Sequence, residues 1–265
     1  MVLVEIGTGL PLDLVVIINS FLYEKLRDEN FKQAIALWFE DEEECKRRFG
    51  PMSFWNTSRV TNMEEAFYDR IDFNEDISHW NVGRVTDMSS MFWGASKFNQ
   101  DIGGWDVSNV ADMRFLFAEA LDFNQDIGRW DVSKVTDMGC MFDGALRFNQ
   151  DIGQWNVGKV RDMGCLFRGA SQFNQNIGRW DVSNVRDMTG LFATCQFNQD
   201  IGQWDVSQVT DMRYMFSGAS QFDQDIGQWD VSKLQEMRCM FDGASQFNQD
   251  ISQWDLSNVI NFCWW

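Results

Sequence analysis

The chain has 265 residues, 45% of them hydrophobic, and a formal charge of −18. That apolar fraction suffices for a core, which argues against a disordered chain. The negative balance argues against nucleic acid, whose phosphates need clustered Lys and Arg, and against docking on an anionic membrane surface.

Residues 1–50 carry no repeat and read as a helical cap. The opening MVLVEIGTG lacks a basic n-region, so no secretory signal is expected, and a cytoplasmic protein with reduced cysteines is. The longest apolar run, Leu10 to Leu22, is broken by Asp13, Asn19 and Ser20 and is too short for membrane insertion. Its LPLDLVVIINSFL resembles the start of an F-box, with Leu10, Pro11, Asp13, Leu14, Ile18 and Leu22 on the pattern. That resemblance implies an alternative function, a ubiquitin-ligase substrate adaptor docking through residues 10–40. Further on, Phe31, Ala34, Ile35 and Trp38 share one helical face. The acids Asp41 to Glu44 then open a second helix that closes with Lys46, Arg47 and Arg48 and stops at Gly50-Pro51. Such helices cover the open edge of a repeat array.

Residues 51–265 form that array. Trp55, Trp80, Trp105, Trp130, Trp155 and Trp180 are spaced by 25, Trp204 follows at 24, and Trp229 and Trp254 resume the 25. Met recurs eight positions after each Trp (Met63, Met88, Met113) and Phe twelve after (Phe67, Phe92, Phe117). A second Phe column runs Phe73, Phe98, Phe123. This period predicts a solenoid of eight full repeats and a truncated ninth, with Trp105, Trp130, Trp155, Trp180, Trp204 and Trp229 as one structural core ladder. The rhythm of Ile102, Trp105 and Val107 predicts a short parallel strand. Asp112 is placed to cap a helical turn over Met113 to Phe117, and Gly144, Gly169, Gly218 and Gly243 are placed to end it. FATCQF (192–197) is one residue shorter than FSGASQF (216–222), which places that stretch at a turn. Coils about 4.8 Å apart are expected.

The unit W-D-V-S-x-V-x-D-M-x-x-M-F-x-G-A-x-x-F-N-Q-D-I resembles the DUF285 repeat of BspA-like leucine-rich repeat proteins, over about Met52 to Phe262. The resemblance implies a leucine-rich-repeat-like fold and, in surface members of the family, adhesion or protein binding. It implies no catalytic residues.

At the far end Val259, Asn261 and Phe262 fill the Val, Asp and Met columns before Cys263-Trp264-Trp265 closes the chain. Trp264 and Trp265 either fold back as a lid or meet a partner or a second copy, so self-association through this end is one expectation.

Chemistry-bearing columns are few. The position after each Trp holds Asp106, Asp131, Asn156, Asp181, Asp205 and Asp230, expected outward on the strand face. Stacked carboxylates at about 4.8 Å repel by roughly 0.9 kcal/mol per pair in water. Turn hydrogen bonds, the basic residues three positions on (Arg59, Arg84, Lys134, Lys159, Lys233) or a bound cation would offset this. No calcium-loop motif appears, so an Asp that bonds its own turn is the preferred reading and no metal is expected. Asn99, Asn124, Asn149, Asn174, Asn198 and Asn248 predict a hydrogen-bonded ladder between coils. Of six cysteines none forms CxxC, although Cys140 and Cys165 fall one repeat apart, within disulfide reach.

His79 is the only histidine, which leaves no His-based triad, and no phosphate or dinucleotide loop occurs. The expectation is therefore no enzyme and no cofactor. The chain reads as a non-catalytic scaffold binding a protein partner, a basic or polycationic one by charge, through the acidic column. A structural subunit held in a larger assembly by its solenoid edges is the other alternative.

Overall fold

The computed structural model describes residues 22–261. The F-box-like run up to residue 21, and Trp264 and Trp265, lie outside the described residues.

Two helices begin the described chain, α1 (Asp28–Glu40) and α2 (Glu42–Phe49), followed by a single 3-10 turn at Met52–Phe54. Asp41 separates the helices and N-caps α2, its carboxylate accepting the Glu44 N–H at 3.0 Å. Gly50 ends α2 at φ 78°, a left-handed conformation that favours glycine. The apolar face of α1 buries Phe31, Ala34 and Ile35, with Trp38 half-buried beside them. This face meets the first coils edge-on: Phe31 lies 5.7 Å from Trp80, Trp38 lies 6.1 Å from Trp55, and Phe39 lies 6.5 Å from Phe67.

From Trp55 onward the chain winds in coils, here counted from each Trp: coil 1 is 55–79, coil 2 is 80–104, and coils 3 to 9 begin at Trp105, Trp130, Trp155, Trp180, Trp204, Trp229 and Trp254. Successive coils are joined by single parallel bridges, Asn62 to Asp87, Asp87 to Asp112, and so on to Glu236 and Asn261. Among the described residues no strand is longer than one bridge, and the array contains no helix.

This differs from the strand and helical turn expected from the sequence. The Trp–Val stretch makes turns instead, Trp105 N–H returning to the Ile102 carbonyl at 3.0 Å and Val110 N–H to Val107 at 2.9 Å. The Met-to-Phe stretch divides its donors. In coil 2, Met88, Ser90, Phe92 and Gly94 give their N–H groups to carbonyls of Asp112, Arg114, Leu116 and Ala118 in the next coil, at 2.8–3.1 Å. The residues between them, Met91, Trp93 and Ala95, donate to carbonyls three back in their own coil. A helix would keep every donor for itself and leave the coils joined by side chains alone. The alternation satisfies both the turn and the stack.

Its cost appears in the backbone. Among the described residues ten non-glycine residues have positive φ, and all ten fall in two columns of the array: Glu65, Ser90, Phe115, Cys140, Cys165, Tyr214 and Cys239 in one, and Asp69, Glu119 and Thr194 in the column of the expected glycines. Gly144, Gly169, Gly218 and Gly243 do stand at φ between 68° and 73°.

Two further ladders run along the other sides of the coil. Each of the nine Trp that open a coil, from Trp55 to Trp254, donates its indole N–H to a backbone carbonyl, Trp105 to Ile77 at 3.2 Å and Trp155 to Ile127 at 3.1 Å. The expected Asn ladder is present: Asn99 Oδ1 accepts the Asn124 N–H at 2.9 Å, Asn124 Oδ1 that of Asn149 at 3.0 Å, and Asn149 Oδ1 that of Asn174 at 3.0 Å.

Inside these ladders lies one apolar cluster reaching from Leu26 to Trp254. Within a coil the two Phe rings stack at 3.9 Å, as Phe92 on Phe98, and each column continues into the next coil, Phe92 to Phe117 at 5.6 Å. The aromatic columns step by 5.5 Å (Phe67 to Phe92) to 6.5 Å (Trp155 to Trp180), wider than the expected ladder spacing. The short coil 6 keeps register on both sides of its deletion. Phe197 stacks on Phe173 at 6.2 Å, Asn198 N–H reaches Asn174 Oδ1 at 2.9 Å, and the missing residue is absorbed in the turn between Cys195 and Phe197.

Candidate protein-binding face

Trp and Val of each unit point into the core, which turns the residue between them to solvent. Asp106, Asp131, Asn156, Asp181, Asp205 and Asp230 are all exposed, in one row with one member per coil. They sit at a turn rather than on a strand. Each closes an Asx turn: Asp106 Oδ1 accepts the Ser108 N–H at 3.1 Å, Asp131 that of Ser133 at 3.0 Å, Asn156 that of Gly158 at 3.2 Å, and Asp181, Asp205 and Asp230 those of Ser183, Ser207 and Ser232 at 3.0–3.1 Å. This geometry matches the preferred reading of a structural Asp bonded to its own turn.

The turn bonds also hold the charge in place. The Ser133 hydroxyl and N–H, with Lys134 and Lys159 nearby, keep the Asp131 carboxyl below the ordinary carboxylate range. Asp230 is lowered by the Ser232 hydroxyl and N–H and by Lys233. One oxygen of each turn-forming carboxylate is occupied by its own backbone, and in Asp106 and Asp181 the other lies by a glycine of the coil before. The Asp106 Oδ2, for example, lies 3.1 Å from where a Cβ would stand on Gly83.

The basic column three residues on is tied to its neighbours rather than to these carboxylates. Lys134 Nζ donates to Asn109 Oδ1 at 2.6 Å and Lys233 Nζ to Gln208 Oε1 at 2.8 Å. Arg59 and Arg84 border a shallow depression of about 390 Å³ with Ser58, Asn81 and Gly83. Here the row holds Asn56 and Asn81 instead of Asp, so its cap end is basic and its middle acidic.

Asp112, expected to cap a helical turn, instead closes a turn of its own, accepting the Arg114 N–H at 3.0 Å, and belongs to a second carboxylate row. The bridge residues Asp87, Asp112, Asp137, Asp162, Asp187 and Asp211 stack in consecutive coils and are half-buried. Burial pushes Asp137 up, against the Gly139 N–H that holds it down, and Asp162 adds to the rise. Asp162 is raised in the same way, by burial and by Asp187. Arg114 spans this row, contacting Asp112 at 2.6 Å and Asp137 at 3.6 Å. The signal was present as the recurrent D of the V-x-D-M unit, but its half-burial follows from the bridge, which no periodicity reveals.

Among the described residues no group of three or more His, Cys, Asp or Glu is arranged to hold a metal ion, and no helix is long and apolar enough to cross a membrane. Cys45, Cys140, Cys165 and Cys195 stand as thiols, Cys45 and Cys195 buried and the other two half-exposed.

No curated protein and no solved structure matches the chain. The family described as "Mycoplasma protein of unknown function, DUF285" matches residues 33–133, 102–196 and 176–263. These overlapping spans cover the second half of the cap and the array, and the chain therefore belongs to the DUF285 family.

Proposed function

We propose that this protein is a non-catalytic protein–protein interaction scaffold that binds a basic protein segment along the row from Asp106 to Asp230. The observation behind this reading is the row itself: exposed carboxylates, each locked by an Asx turn and carried on a packed coil. Preset charge loses little side-chain entropy on binding, and complementary charge speeds encounter and selects partners. The naming as a BspA-like, leucine-rich-repeat-like solenoid belongs to the same proposal, supported by parallel bridging at a 25-residue period. So does a cytoplasmic location, supported by the thiols of Cys45, Cys140, Cys165 and Cys195.

The test uses substitutions that keep the turns. Asn156 and Asn81 already make the same turn bond. The variant D106N/D131N/D205N/D230N thus removes charge while conserving the backbone. Binding of an oligolysine peptide to the full chain should fall at least tenfold, with a shallower salt dependence. The same number of Asp→Asn changes at Asp101, Asp126, Asp151 and Asp200 should leave most of it. Equal losses from both variants would show net charge alone, and an unchanged affinity in the first would remove the proposal.

A further inference from the structure

Cys140 and Cys165 occupy the same position in coils 4 and 5, ten residues after Trp130 and Trp155. Both belong to the strained column, at φ 56° and 55°. Their backbones are fixed by the inter-coil ladder, Cys140 N–H donating to Gly164 at 2.8 Å and Cys165 N–H to Thr189 at 2.7 Å. Side chains in this column lean onto the next coil: Cys165 Sγ lies 3.3 Å from where a Cβ would stand on Gly190, its counterpart one coil on. By the same repeat geometry the Cys140 side chain leans onto Cys165, which sets the two thiols against each other. Neighbouring positions of a hydrogen-bonded ladder lie about 5 Å apart, inside the roughly 4.4–6.8 Å that a disulfide spans between its two Cα atoms. Both residues are half-exposed, unlike the buried Cys45 and Cys195.

We propose that Cys140 and Cys165 are a dithiol that closes reversibly into a disulfide between coils 4 and 5 by exchange with a small-molecule disulfide. Nothing in the packing of the array requires two thiols here, since the column accepts Glu65, Ser90, Phe115, Gly190 and Tyr214 elsewhere. The Cys165 thiolate attacks one sulfur of the small disulfide, forming a mixed disulfide and releasing one small thiolate. The Cys140 thiol, losing its proton to solvent, then attacks the Cys165 sulfur and expels the second. Two protein thiols are oxidised and one small disulfide is reduced to two thiols. The order follows from the surroundings. The neighbouring Cys140 thiol and Arg168 hold Cys165 down as the group that ionises first, while the Cys165 thiol and burial push Cys140 up. Arg168 is itself held by Asp143 through a bond from Nε at 2.8 Å. The product is a covalent staple across two coils in the middle of the array.

The experiment equilibrates the full reduced chain with mixtures of oxidised and reduced glutathione, quenches in acid, alkylates, and maps peptides by mass. The wild type should yield a Cys140–Cys165 cross-linked peptide lacking two hydrogens, reversed by excess reduced glutathione. C140S should trap glutathione on Cys165, and C165S should react at Cys140 at least about tenfold more slowly. Stable glutathione adducts on Cys165 of the wild type, without the cross-link, would overturn the proposal. So would a pair that stays reduced under conditions where Cys239 is modified, or a cross-link to any other cysteine.

Discussion

Asp28 of α1 takes, for Thr61, the place that a preceding coil takes elsewhere. Its carboxylate accepts the Thr61 N–H at 2.7 Å and the Thr61 hydroxyl at 2.6 Å, with the Asn62 N–H at 3.3 Å. In later coils the equivalent N–H groups go to the carbonyl one coil back, Thr86 to Thr61 at 2.8 Å and Ala111 to Thr86 at 2.9 Å. The cap thus ends the ladder chemically as well as covering its apolar edge, which is what an exposed sheet edge requires.

Asp28→Ala should destabilise the cap end by about 1–2 kcal/mol, as loss of a helix N-cap does. Amide exchange at Thr61 should quicken most. Burial raises the Asp28 pKa, but the Thr61 hydroxyl and the Thr61 and Asn62 N–H groups outweigh it and hold the carboxyl below its usual value. The folded state therefore binds this proton less readily than the unfolded chain. The contribution is complete above the ordinary carboxylate pKa and is lost as pH falls through the lower folded value. Denaturation midpoints of wild type and variant should converge in acid.

The bridge row should behave in the opposite sense. Asp137 and Asp162 are raised, so the folded state holds their protons more tightly and their charge opposes folding near neutrality. Their contribution improves as pH falls through the raised values. Asn62 and Asn261 already occupy this row, and Asn62 Oδ1 accepts the Glu64 N–H at 2.9 Å, as Asp137 Oδ1 accepts that of Gly139 at 3.0 Å. Asp162→Asn should stabilise the protein at pH 7 by on the order of 1 kcal/mol, the scale of one close like-charge repulsion. A midpoint that drops instead would mean that the carboxylate makes a compensating contact.

Asn149 joins two groups of the next coil to its own. Its Oδ1 accepts the Asn174 N–H at 3.0 Å and the Gln175 side chain at 2.9 Å. Asn149→Ala strands the Asn174 N–H, while the Gln175 side chain keeps the Asn149 carbonyl at 3.0 Å, and should cost about 1–3 kcal/mol. Asn149→Asp should retain most of that, because Asp223 makes the same pair of bonds to Asn248 and Gln249 in coil 7. Urea denaturation of the two variants separates the lost acceptor from a general sensitivity of this corner.

Thr194 stands at φ 53° in a column that four coils fill with the expected glycines. A β-branched residue in the left-handed region is strained by roughly 1–2 kcal/mol. Thr194→Gly keeps the N–H bond to Ser217 and should raise stability by about 1 kcal/mol, read as a higher denaturation midpoint.

Periodicity carried most of the architecture. The Trp, Met and Phe columns could only be buried together, and the Asn ladder followed because an identical polar residue at every coil finds its partner one repeat away. The outward position of the Asp106 row was legible for the same reason: Trp and Val on either side needed the core. The strand and helical turn were misplaced because spacing tells which side chains face inward but not where each N–H finds an acceptor. Phe115, Cys140 and Tyr214 give no hint in sequence that they stand at positive φ.

By itself, then, the sequence determined a stack of 25-residue coils around an aromatic spine, capped by helices and acidic outside, because burial depends on side-chain type and period alone. Only the tertiary structure decided how the backbone closes that stack: alternate donors shared between a coil's own turn and its neighbour, Asp28 ending the ladder, and Cys140 set against Cys165. Those choices depend on where carbonyls and thiols of adjacent coils come to lie, and one coil read alone contains no record of the next.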